Sequence, residues 1–155
     1  MCSALCPHRY FLLLVAFQLC YVPMGMRLML QMNFSHPPLT MFGTGDKGFL
    51  PNVDNRRSVQ NLVATSPLAA RLNNAHINQM EGFPFFAAGV LACMQAGVAT
   101  TAVTDLAMLY IVARVAFVFF YIIGVNNFIA NFRTISWLVV IVVQAKLFLL
   151  AAEAK

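Results

Sequence analysis

Four apolar stretches, each about the length that carries a helix across a bilayer, dominate this sequence. The first runs from about Tyr10 to Leu30, broken only by Gln18 and Arg27. The second follows the polar segment Arg71–Glu81 and is apolar from Gly82 to about Val103. The third covers Leu106 to Val125 with Arg114 near its middle, and the fourth, Ile135 to Ala152, contains Gln144 and Lys146. Lipid offers the backbone no hydrogen-bond partners, so helices are the default. The pattern predicts an all-α integral membrane four-helix bundle, one domain over residues 1–155, with helices over about 10–31, 67–99, 104–125 and 133–153.

Composition agrees. Apolar residues make up 61% of the chain and charged residues only 10%, against roughly 45–50% and about 25% in soluble domains. A globule of 155 residues has no interior large enough to hide that much apolar surface. A soluble enzyme, a disordered tail and a nucleic-acid binder are all excluded. The net charge of +5 comes from scattered Lys and Arg that form no stripe. Topology and anionic headgroups account for it, with membrane lipids rather than nucleic acid as the partner. Cys2 and Cys6 lack the spacing and His partners of a zinc site. Cys20 and Cys93 sit in apolar runs as small hydrophobes. No metal is expected. The run Tyr21–Arg27 lacks a small-x-small cleavage site, so the first helix is read as retained.

The connections differ in character. A Pro-, Gly- and Asn-rich loop spans about 32–66, a tight turn is expected at Thr100–Asp105, and a short loop at Asn126–Thr134. Lys47, Arg56, Arg57 and Arg133 fall in the first and third of these, which places both in the cytoplasm and the termini outside or lumenal.

Polar chemistry enters the membrane at three places. At 100° per residue, Arg71, Asn74, Asn78 and Glu81 fall within an arc of about 80° at the mouth of the second helix. Donors for carboxylates and an acceptor for an ammonium suit a zwitterionic ligand such as a small peptide. Pro84 loosens the helix just beyond. On the third helix Tyr110, Arg114, Phe117 and Tyr121 share an arc of about 60°. A mid-span arginine costs about 2.5–3.5 kcal/mol on insertion scales, so it needs a partner; Glu81, on the antiparallel neighbour, is the expected one. The third place is Asn131–Trp137, where Arg133, Thr134 and Ser136 enter the fourth helix. Blander roles exist for several of these groups. Arg133 beside Trp137 also suits an interface anchor, and His76, about 140° from Arg71, reads as structural. Gln144 reads as packing glue and Lys146 as a snorkelling side chain.

The set Arg71-x-x-x-Ala75-His76-x-Asn78-x-x-Glu81-x-x-Pro84, with Arg114, Tyr121 and the Arg133-Thr134 pair, resembles the MAPEG family, the membrane-associated proteins in eicosanoid and glutathione metabolism. The resemblance covers roughly Asn55 to Leu150. It implies a homotrimer holding glutathione as co-substrate between adjacent subunits near the cytosolic face. It also implies that Asn78, Glu81 and Tyr121 help bind glutathione, that Arg71 contacts a carboxylate, and that Arg133 and Thr134 lie at the thiol. Asn74 and Arg114 belong to the same candidate binding set. Two positions depart from glutathione-using members, which often carry Arg in place of Asn74 and Tyr or His in place of Phe117.

The chemistry this implies is thiol activation. A free thiol titrates near 8.5, and a neighbouring guanidinium favours the thiolate. Arg133 is the expected stabiliser, with Thr134 donating to sulfur. The acceptor is a lipophilic electrophile or lipid hydroperoxide arriving from the bilayer, which makes the chain a transferase or peroxidase. The alternative is a non-catalytic trimeric lipid-binding or scaffold protein, favoured by Asn74 and Phe117. The expected location is the endoplasmic reticulum or another endomembrane in a eukaryote, or the inner membrane in a bacterium.

Overall fold

The computed structural model describes residues 6–35, 60, 63–124 and 127–154. Lys47, Arg56 and Arg57, and with them most of the expected cytosolic loop, lie outside the described residues. Four long helices follow in order: α1 (Cys6–Ser35), α2 (Pro67–Gln95), α3 (Thr100–Ile123) and α4 (Asn127–Glu153). Helix α2 packs against each of the other three, and α3 also packs against α1 and α4.

Among the described residues, Arg9–Leu30, Thr100–Ile123 and Phe128–Glu153 are long and apolar enough to cross a membrane, with mean hydropathies of 1.7, 2.3 and 2.2. Helix α2 is not among them, against the expectation of four such spans. Its first half carries Arg71 to Glu81, and the apolar remainder, 82–95, is shorter than the about 20 residues a span requires.

The ends of α2 follow from local chemistry. Ser66 caps it in extended conformation (φ −111°, ψ 112°) and its hydroxyl accepts from the amide of Ala69 at 3.4 Å. Pro67 follows at the first helical position, where no N–H is needed. The helix stops at Gln95 rather than near 99, because Gly97 adopts φ 75°. The amides of Gly97 and Val98 then return to the carbonyls of Met94 (3.3 Å) and Cys93 (3.0 Å), a Schellman closure. The hairpin turn therefore precedes Thr100, instead of following it. A Cβ at Gly97 would meet nothing within 4 Å, so its cost is conformational alone. Gly97→Ala is expected to destabilise the protein by about 1–2 kcal/mol in reversible unfolding from micelles; an unchanged midpoint would mean that the turn relaxes freely. Helix α4 begins at Asn127, about two turns before the expected 133, and so takes up most of the third loop.

Lipid tails give no hydrophobic drive between helices, so close approach must come from small residues. Ala16, Ala69, Ala75, Ala107 and Ala113 are buried at the contacts. At Gly89 a Cβ would sit 3.0 Å from that of Leu147, which fixes how near α2 and α4 lie. Phe86 of α2 and Tyr110 of α3 stack face to face, 3.7 Å apart and 5° from parallel. Large apolar side chains such as Phe11, Phe85, Val112, Val142 and Leu149 point outward, as lipid-facing surfaces require.

Polar bonds tie α1 to the rest. The Arg27 guanidinium donates to the Asn73 carboxamide, and that of Arg9 to the Thr100 hydroxyl. His76 Nδ1 lies 2.8 Å from the Cys20 carbonyl, and its ring 5.8 Å from that of Tyr21. A carbonyl only accepts, so Nδ1 is the protonated nitrogen. His76 is thus a structural link between α1 and α2, the role expected of it.

Candidate functional site

The buried face of α2 centres on Leu72, Ala75, Gln79, Phe86 and Val90. By helical geometry, Arg71 and Asn78 lie about 70–90° from that centre, and Asn74 and Glu81 about 130–150°. Exposure follows the same division. Arg71 and Asn78 are half-buried at the seam, while Asn74 and Glu81 are exposed on the outer face. One polar stripe therefore straddles the boundary between the helix interior and the outside.

Arg114 is drawn entirely inward and is only 2% exposed. Its Nη1 donates to Asn78 Oδ1 at 3.1 Å and its Nε to the Tyr110 hydroxyl at 3.2 Å. Its partner is thus Asn78, and no ion pair joins it to Glu81 among the described residues. The reason is azimuth: Arg114 approaches α2 from the buried side, and Glu81 points away from it. Gln144 of α4 completes the junction by donating Nε2 to the Gly82 carbonyl at 2.7 Å, the gluing role expected of it.

Sequence reasoning passed over Gly82. A Cβ there would fall 1.7 Å from Arg114 Nη2, so the guanidinium occupies the space that any side chain would need. A missing side chain leaves no pattern in a sequence; only the position of Arg114 reveals its use. Gln79 was passed over too. It is buried, and its Nε2 finds no partner among the described residues.

The aromatic stripe of α3 leads from this junction toward the end where α4 begins. The Arg114 guanidinium carbon lies 5.3 Å from the Tyr110 ring centre and 6.0 Å from that of Phe117. Phe117 meets Tyr121 at 5.1 Å, tilted by 59°. Arg133 of α4 then lies over the Tyr121 ring at 4.7 Å. Five sequence-selected side chains, Asn78, Arg114, Phe117, Tyr121 and Arg133, thus form one connected series.

The others stand apart from it. Thr134 is exposed and its hydroxyl donates to the Ala130 carbonyl at 3.1 Å, one turn back on its own helix. Arg71 is half-buried, and its Nε has no partner among the described residues. No group of three His, Cys, Asp or Glu side chains gathers to hold a metal among the described residues.

The arrangement presents permanently charged guanidinium groups, a carboxylate and carboxamides at one end of a water-poor helix assembly. Guanidinium and carboxamide groups are donors suited to anions, and a carboxylate is an acceptor suited to an ammonium. Searches for curated relatives and for solved structures return no match. The family model described as MAPEG matches residues 10–152. Together with the three span-length helices, that match makes this an integral membrane protein. Since it takes in nearly the whole length, the chain belongs to the MAPEG family.

Proposed function

We propose that the chain is a glutathione-dependent transferase or peroxidase acting on lipophilic electrophiles or lipid hydroperoxides, with Arg133 holding the glutathione sulfur as thiolate. The observation that carries this reading is the state of Arg133. Among the described residues it has no carboxylate partner, and it rests on the face of Tyr121 with its charge uncompensated.

Glutathione brings two carboxylates, an ammonium and a thiol, and the chain's groups match them. Arg71, whose Nε lacks a partner among the described residues, and Asn74 suit the carboxylates, and Glu81 suits the ammonium. Asn78 spends its carbonyl on Arg114 and keeps its amide for a ligand. Arg114 acts from behind, fixing Asn78. Thr134 reaches the sulfur by releasing Ala130, whose carbonyl is a helix acceptor in its own right.

An exposed carboxylate beside apolar surface is costly in a bilayer, so Glu81 and Asn74 call for cover by water and a second copy. That need supports a homotrimer of four-helix subunits with glutathione between neighbours. The expected setting is an endomembrane, or a bacterial inner membrane, with the Arg133 end cytosolic. The rival is a non-catalytic lipid-binding or scaffold trimer, and the internal use of Arg114 favours it.

The test is a titration of purified protein with glutathione, following thiolate absorbance near neutral pH. Saturable thiolate is expected, with the thiol pKa about two units below 8.5, or about 2.7 kcal/mol of differential stabilisation. Arg133→Ala should abolish the signal. Absence of saturable binding would leave the scaffold.

A further inference from the structure

Arg114 and Arg133 differ in how they are held. Arg114 is immobilised by Asn78, Tyr110 and the space above Gly82. Arg133, by contrast, is held by a ring face, that of Tyr121. Between them stand two rings in contact, Phe117, 3% exposed, and Tyr121, half-buried.

A guanidinium has two kinds of surface. Its flat faces attract aromatic rings, and its N–H edge donates to anions. A carboxylate partner would spend the edge and cancel the charge. A ring restrains the group while leaving both charge and donors for something else. Tyr121 is therefore a partner that can fix Arg133 without neutralising it.

We propose that Tyr121 is a positioning residue acting through its ring face on Arg133, and that the buried Arg114–Phe117 contact fixes the ring. The phenol hydroxyl is then dispensable for thiolate stabilisation. The inference rests on Arg133 being the thiolate's partner, as proposed above. It also gives Phe117 a use: a ring buried beside a fixed cation needs a face and no polar atom.

The test compares Tyr121→Phe with Tyr121→Leu in the full-length protein. The readout is the thiol pKa of glutathione at saturating concentration, which separates positioning from any change in affinity. The phenylalanine variant should keep the depressed pKa, and the leucine variant should raise it by about one unit, a tenfold fall in the thiolate-to-thiol ratio. Equal loss in both would assign the role to the hydroxyl, and no loss in either would remove the role altogether.

A second readout needs no glutathione. In protein carrying isotope-labelled arginine, the Arg133 side-chain protons should show a ring-current shift in wild type and Tyr121→Phe, and none in Tyr121→Leu. A wild type without thiolate but with this shift would sink the proposed activity and leave the stacking intact. A wild type lacking the shift would overturn the inference itself.

Discussion

Gly82→Ala is expected to destabilise the detergent-solubilised protein by about 2–5 kcal/mol, although alanine is the better helix former by about 1 kcal/mol. The new methyl group would fall 1.7 Å from Arg114 Nη2. The guanidinium is the end of a long side chain and can swing aside, so steric overlap alone is not decisive. What decides is where it would go. Leaving Gly82 breaks its bonds to Asn78 and Tyr110, and hydrogen bonds to a charged group contribute about 1.5–3 kcal/mol each. The nearby Gly82 carbonyl already accepts from Gln144, and lipid provides no replacement acceptors. Two lost bonds less the gain in helix propensity give the stated range. A double-mutant cycle makes the argument testable: with Arg114→Met already present, Gly82→Ala should cost nothing or stabilise. A coupling below about 0.5 kcal/mol would show that the guanidinium finds another seat.

Much of this junction was legible in the sequence, and beyond Gly82 the illegible part comes from the rotation of a helix. Spacing on α3 selected Tyr110, Arg114, Phe117 and Tyr121 correctly as one face, because helical periodicity is local and lipid enforces the helix. Spacing on α2 gathered Arg71, Asn74, Asn78 and Glu81 into one arc but could not divide it. Which edge of an arc turns inward depends on the rotation of the whole helix. That rotation is set by contacts far along the chain, such as Gly89 against Leu147 and Phe86 against Tyr110. A shift of about 60° decides whether Asn78 or Glu81 meets Arg114. Electrostatic preference pointed to the carboxylate, and geometry delivered the carboxamide. The turn after α2 was a different kind of miss: Gly97 is itself the stop signal, and the apolar run on either side concealed it.

Replacing Asn78 by leucine should be about as damaging as filling Gly82, for an electrostatic reason. Among the described residues, the substitution leaves the buried Arg114 charge with only the Tyr110 hydroxyl as acceptor. Stranding a buried charge costs about 3–5 kcal/mol, whereas removing both partners together is often close to neutral. Asn78→Leu alone should therefore melt far below wild type, and Asn78→Leu with Arg114→Met should recover most of the loss. Equal melting of the single and double variants would mean that water already reaches the guanidinium. The recovered double variant then bears on function. It keeps Arg133 and Tyr121, though not the Arg114 contact that fixes the ring, and lacks the amide proposed to hold glutathione. If the ligand uses that amide, the folded double variant should bind glutathione at least tenfold more weakly, a loss of about 1.4 kcal/mol. If it binds as wild type does, the Asn78–Arg114 junction serves assembly alone, and the ligand lies on the outer side of α2 with Asn74 and Glu81.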